Sequence, residues 1–328
     1  MGCANLQWAV RTNMRRFAVV AVSVLLLLLS LSGCGNKPTG DISGVTPTSE
    51  PSATTPVSSP LTTTLPAVPA AGAGVAVEAK FVDVGQGDCE ILKIVKGGTT
   101  FFALVDTGVQ QAYPKISSEL SGMGCGEINV LVLTHPDADH VGSAAGILNS
   151  FKVDKVWQSG FTKDTKVWQE TSATIGAKQI PNETVQKGTQ DVWNGAAVKV
   201  LNPSPQTATD SNNSSVVLLV SVGDKDILLM GDAENEAQEH MAQDPLPKVE
   251  VYKVPHHGST GAYYPPFLSA IHPDYSVIEV GAGNSYGHPR QEVLDALAGI
   301  GSTVYRTDQN GDVEATVTPD GVSVKSER

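Results

Sequence analysis

Residues 128–140 read Ile-Asn-Val-Leu-Val-Leu-Thr-His-Pro-Asp-Ala-Asp-His. From Val130 to Leu133 the chain is apolar with no polar alternation. A strand reads this way when both of its faces are covered, which implies a sheet inside a layered α/β fold. Just beyond it, His135, Asp137, Asp139 and His140 put four metal-capable side chains within six residues. Asp137 or Asp139 as a helix cap accounts for one carboxylate. It does not account for two imidazoles at the same strand end.

The arrangement recurs along the chain. Asp106 follows the apolar run Phe101–Val105, and Asp232 follows Ile227–Met230 and Gly231. His256 and His257 follow Val251–Val254 and Pro255, and His288 stands in the turn Tyr286-Gly287-His288-Pro289. His240, in a helical stretch, and His272, in a turn, read as structural or solvated. Strands are predicted over Lys80–Val84, Cys89–Val95, Thr100–Val105, Ile128–Thr134, Ser215–Val222, Lys225–Met230, Val249–Val254, Tyr275–Val280, Thr303–Arg306 and Val313–Thr318. Helices are predicted over Tyr113–Gly122, Val141–Leu148 and Pro289–Gly299. Strands interleaved with helices imply an α/β architecture with the sheets inside. Trp157, Trp168 and Trp193, in the segment 151–210, read as core or edge packing, or else as the rim of a cleft.

The chain has 328 residues, 41% of them hydrophobic, with 22 Lys+Arg against 34 Asp+Glu for a net charge of −12. Four cysteines are too few for a disulfide scaffold. Cys34 reads as a lipidation site, Cys89 as core, and a Cys89–Cys125 disulfide is permitted without being required. The acidity excludes a generic basic nucleic-acid coat, though not an enzyme that meets an anionic substrate through bound cations.

The amino terminus reads as a targeting segment. Arg11, Arg15 and Arg16 precede the uncharged run Phe17–Ser32, whose length suits the core of a secretory signal. Met14 is an alternative start. Leu31-Ser32-Gly33-Cys34 resembles a bacterial lipobox, which implies lipidation of Cys34 and an extracytoplasmic, lipid-anchored product. Removing residues 1–34 takes away three Arg and no acid and leaves a charge of −15. Residues 35–75 hold seven of the 20 Pro and thirteen Ser or Thr, and they read as an extended tether to a folded domain over 76–328.

Taken together, Phe81 to Asp88, Val105-Asp106-Thr107-Gly108, Thr134 to His140, Asn212 to Ser215, Gly231-Asp232, Pro255 to Ser259 and Tyr286 to Pro289 resemble the metallo-β-lactamase superfamily. Within it they resemble the hydrolase domain of the ComEC/Rec2 competence proteins, in order and spacing across 76–328. The resemblance implies an αββα sandwich with two divalent metal ions at one edge between the sheets. His135 and Asp137 are then implied ligands of one metal, and Asp139, His140 and His256 of the other, with Asp232 bridging. Asp106 is implied as an orienting partner, and Asn213 and Ser214 as ligands or as the start of a strand. Asp137 and Asn212/Asn213 replace histidines found in many members, and oxygen ligation shifts preference from Zn toward Mn or Mg.

The implied activity is hydrolysis of a phosphodiester by metal-activated water, with DNA the favoured substrate. Asp139 or Asp232 orients the nucleophile, and His257 or His288 serves the leaving oxygen. Lys253 and Arg290 read either as phosphate contacts or as surface charges. A cell-wall phosphodiester (teichoic acid or its phosphorylcholine) remains an alternative, as does a non-catalytic metal-binding surface lipoprotein. No obligate protein partner is evident, and a monomer is the simplest expectation.

Overall fold

The strand Val130–Leu133 is buried on both faces, because Val130 and Val132 enter one core while Leu131 and Leu133 enter another. That division organises the molecule. The computed structural model describes residues 74–328. The signal, Cys34 and nearly all of the tether lie outside the described residues. Among the described residues no helix is long and apolar enough to cross a membrane.

Two sheets form the interior. The first runs, edge to edge, Gly321–Ser326, Val313–Thr318, Val75–Phe81, Glu90–Lys96, Thr99–Val105, Val130–Leu133, Val156–Gln158 and Asn182–Thr184. The second runs Thr303–Arg306, Tyr275–Ile278, Val251–Lys253, Lys225–Leu229, Val217–Val222, Ala196–Asn202 and Gln190–Trp193. Each sheet is antiparallel in one half and parallel in the other. Alternate residues of both sheets meet between them, among them Phe81, Leu92, Val105 and Val132 with Val198, Leu218, Ile227 and Val251. The outer face of the first sheet packs on Ile116, Leu120, Ile147 and Trp168 from helices Tyr113–Gly122, Ala144–Ser150 and Lys166–Ala177. The outer face of the second packs on Met241, Phe267, Ile271 and Leu297 from helices Asn235–Met241, Pro265–Ile271 and Gln291–Gly299. This is the αββα sandwich.

Parallel pairing positions the site. Leu104 pairs with Leu131 and Val105 with Val132, so Asp106 lands beside Thr134. In the second sheet Leu228 pairs with Tyr252, and Tyr252 with Ser276, which brings the segments after Leu229, Lys253 and Ile278 to one edge. Ligands collect at the carboxyl ends of parallel strands, and both sheets present those ends to the same place.

Several predicted elements shift. The strand expected over Lys80–Val84 is Val75–Phe81, because Val75, Val77, Ala79 and Phe81 alternate into the core while Val82–Val84 leave the ladder. The helix expected over Val141–Leu148 is two short ones, Ala138–Val141 and Ala144–Ser150. A Cβ on Gly142, between them, would lie 2.5 Å from both the Ala138 oxygen and the Gln110 nitrogen. All three tryptophans are buried as core, and Cys89 and Cys125 are free thiols.

Leu131 is fully buried between strand neighbours and helices. Leu131→Ala is expected to cost about 2–5 kcal/mol in denaturant unfolding. A loss below 1 kcal/mol would show that the helical layer is not packed there.

Candidate metal centre

Asp106 fixes the first sheet's side of the site. Its carboxylate accepts the Thr134 backbone N–H at 2.8 Å, the Thr134 hydroxyl at 2.6 Å and His140 Nδ1 at 2.7 Å. With its Nδ1 proton donated there, His140 turns Nε2 outward to a point 3.3 Å from Asp232 Oδ2. His135 is held the same way, with Nδ1 3.1 Å from the Thr134 hydroxyl and 3.3 Å from that of Ser215. Its Nε2 lies 3.8 Å from Asp232 Oδ2.

The second sheet supplies Asp232 and His257. The Asp232 backbone N–H donates to the Ser215 hydroxyl at 3.1 Å. Gly231 before it needs its left-handed φ of 51°, and a Cβ there would lie 2.9 Å from the Thr134 hydroxyl oxygen. His257 turns Nδ1 to the Glu279 carbonyl at 2.9 Å and to Asp88 Oδ1 at 3.2 Å. Its Nε2 lies 3.4 Å from Asp139 Oδ2, and the donor atoms of Asp139, His140 and His257 fall within 4.8 Å of one another.

Three buried imidazoles thus have Nδ1 engaged by the protein and Nε2 facing a shared space lined by Asp139 and Asp232. Among the described residues, Nε2 of His135, His140 and His257 and Oδ1 of Asp232 have no hydrogen-bond partner. Each such buried orphan costs about 1–3 kcal/mol unless something binds it. Imidazole nitrogens fixed from behind, mixed with carboxylates, are the donor set of a divalent transition-metal site. The residues present fit such ions.

The local field agrees. Burial opposes ionisation of Asp139, yet His257 and His140 hold it well below the usual carboxylate range. Burial likewise opposes protonation of His257, but Asp88 and Asp232 push it up to about 10. The carboxylates therefore favour positive charge in this space.

Other predicted site residues stand differently. Asp137 sits at the rim, 2.6–2.7 Å from Lys163 Nζ and bonded to the Ser211 hydroxyl, with Oδ1 3.9 Å from His135 Nε2. His256, expected beside Asp139 and His140, gives that place to His257. It turns Nδ1 to Glu234 at 2.6 Å, and its side chain is 25% exposed. It still brings Nε2 to 3.8 Å from Asp232 Oδ2, the same distance as His135 Nε2, so it meets the centre from the mouth. Both histidines have positive φ, 47° and 53°, so strand alternation does not say which one faces inward. Asn213 bonds Asp210 and accepts the Ala237 N–H, tying its turn to the helix Asn235–Met241, and Ser214 bonds the Ser211 carbonyl within the turn. Asn212 and Ser215 face the centre instead. His288 lines the mouth with His256 and Tyr286, and Arg290 is exposed.

Lys253 is neither a phosphate contact nor a surface charge. It is fully buried, paired with Asp88, and donates to the Gly231 carbonyl at 3.1 Å. A lysine flanked by Val251, Tyr252 and Val254 was the available signal, since a buried lysine demands a buried acid.

The chain belongs to the metallo-β-lactamase superfamily, whose family model matches residues 83–281. It is 33% identical over 257 residues to ComE operon protein 3 of Bacillus subtilis (strain 168), covering 72% of this chain and 32% of that protein. It is 29% identical over 262 residues to Competence protein ComA of Neisseria gonorrhoeae, covering 79% and 34%. The chain thus spans about a third of the length of these curated relatives. Among solved structures it is similar to the metallo-β-lactamase fold protein YhfI from Bacillus subtilis, with 10% identity, a TM-score of 0.46, and 73% of this chain and 99% of that chain covered.

Lys253→Met leaves Asp88 buried without its counter-charge, and a loss of about 3–5 kcal/mol is expected in denaturant unfolding. Adding Asp88→Leu should recover part of it in a double-mutant cycle. Independent, additive losses would contradict the pairing.

Proposed function

We propose that this domain is a divalent-metal-dependent phosphodiesterase acting on DNA outside the cytoplasm. The observation that carries the reading is the set of three buried imidazoles whose unpaired Nε2 atoms face Asp139 and Asp232. His140, His257 and Asp139 would hold one cation and His135 would hold a second, with Asp232 between them. Cations bound there supply Lewis acidity toward a phosphoryl oxygen and acidify water. Mn or Zn suits this mix of nitrogen and oxygen donors, and Mg suits it less.

The chain's own groups do the rest. Asp106 and the Glu279 carbonyl keep His140 and His257 in the tautomer whose Nε2 is free to bind. Asp139 and Asp232 are the carboxylates placed to take a proton from the nucleophile. His257 is held as a donor from behind, so the proton for the leaving oxygen falls to His256 at the mouth of a pocket of about 220 Å³. Burial opposes protonation of His256, but Glu234 and Asp232 push its pKa up. It does not fall to His288, which burial and the neighbouring His256 and His257 push down to about 4. Resemblance to competence proteins favours DNA over a cell-wall polymer. The acidic chain meets such a substrate only through the cations, which reverse the local field. The apolar run Phe17–Ser32 and the lipobox-like Leu31-Ser32-Gly33-Cys34 support export and anchoring.

Two experiments test the reading. The purified chain with added Mn²⁺, Zn²⁺ or Mg²⁺ should cleave DNA and a simple phosphodiester but not a chromogenic β-lactam. Asp232→Ala should abolish that activity, and Asp106→Asn should lower it about 10–100-fold. Absence of Asp232-dependent phosphodiester cleavage with every metal would sink the proposal. For ligation, Mn²⁺ at 100 times its Kd should stabilise the wild type by roughly 2.7 kcal/mol. His257→Ala should lose most of that gain and His256→Ala, at the exposed mouth, a smaller part of it; the reverse order would overturn the ligand set.

A further inference from the structure

Tyr286 is an exposed aromatic side chain at the edge of the centre, 62% accessible. Its ring stacks on His288 at 5.7 Å and 27°, and His288 stacks on His257 at 6.5 Å and 29°. An aromatic ladder therefore leads from solvent to the buried imidazoles.

Tyr286 also separates two depressions. The pocket of the centre shares Gln86, Asp139 and Tyr286 with an adjoining groove of about 450 Å³. That groove shares Gln110, Gly142 and Val167 with a further one of about 290 Å³. The three form a continuous track. In the middle groove the polar side chains are Gln86, Gln110 and Gln111, with Asp139 at the border of the centre, beside Val109, Ala138 and Val167. Neither outer groove is lined by a lysine or an arginine.

This chemistry suits a neutral, planar ligand that hydrogen-bonds at its edge. Carboxamides pair with the donor and acceptor edges of nucleobases. Gln110 and Gln111 offer both groups, and Gln86 offers its NH₂ because its oxygen accepts the Gly281 N–H at 3.1 Å. An exposed aromatic ring stacks on the base faces. A phosphate track would need cations, which these walls lack. Resting on the phosphodiesterase reading, we propose that Tyr286 and the three-glutamine groove bind an unpaired nucleobase next to the scissile phosphodiester. The base must leave its stack to enter, so the domain favours single strands and frayed ends over intact duplex.

The test compares a short phosphorothioate oligothymidylate with a sugar–phosphate strand of equal length that lacks bases. Binding to the full chain with Mn²⁺ is followed by fluorescence anisotropy. Wild type should bind the base-bearing strand about tenfold or more tighter, as stacking on one aromatic allows. Tyr286→Ala should erase that difference and Tyr286→Phe should keep it, while the salt dependence of binding stays the same. Equal binding of the two strands by wild type, or a preference that survives in Tyr286→Ala, would overturn the proposal. Hydrolysis of a base-free phosphodiester by wild type reads the underlying assignment separately. Hydrolysis without a base preference removes only the groove's role, whereas no hydrolysis of any phosphodiester removes both.

Discussion

The ion pair between Asp88 and Lys253 joins the two sheets at the edge where the site is built. Asp88 follows the loop Gly85–Gly87 that leaves the first sheet, and Lys253 ends a strand of the second. Both are fully buried. Burying two charges is costly, and the cost is offset only where further hydrogen bonds complete the pair. Here Lys253 also donates to the Gly231 carbonyl, one residue before Asp232. Asp88 Oδ1 lies in charge contact 3.2 Å from His257 Nδ1, which bonds the Glu279 carbonyl. One pair thus sets the position of a carboxylate and an imidazole that come from separate strands.

Behind the inward-facing atoms lies a complete supporting layer. Asp106, Thr134 and Ser215 hold His140 and His135, and Asp88 with the Glu279 carbonyl holds His257. Gly87 belongs to the same layer, because a Cβ there would lie 2.4 Å from the Asp139 carbonyl oxygen. A site held this tightly before any ligand arrives keeps its donors in place at little further ordering cost. The acidity that argues against nucleic acid in the composition is partly this cluster of carboxylates, whose role is to hold cations.

Much of this was legible in the sequence. The unbroken run Val130–Leu133 implied a doubly covered strand, and the strand-end carboxylates and histidines implied one shared edge. What was not legible depended on backbone turns and long-range pairing. His256 and His257 are adjacent, and only their left-handed backbone lets both bring Nε2 to the centre, His257 from inside and His256 from the mouth. Asp137 lines the pocket 3.9 Å from His135 Nε2, but nothing in its sequence neighbourhood reveals its bonds to Lys163 and Ser211, which come from separate loops. Asn213 and Ser214 lie one position away from the residues that face the centre, a difference that turn geometry sets. The linker boundary blurred because Val75 and Val77 are small apolar residues beside an Ala/Gly/Pro-rich tether, and only pairing with Lys96 and Ile94 makes them a strand.

The central claim is that the Nε2 edges of His135, His140 and His257 face a cation site between the two sheets. Anomalous diffraction from crystals soaked in Mn²⁺ tests it directly. The account predicts peaks in the space between those nitrogens, Asp139 and Asp232, with His256 still turned toward Glu234. Peaks on the His256–Glu234 side alone, or no peak at the sheet edge at millimolar Mn²⁺, would contradict it.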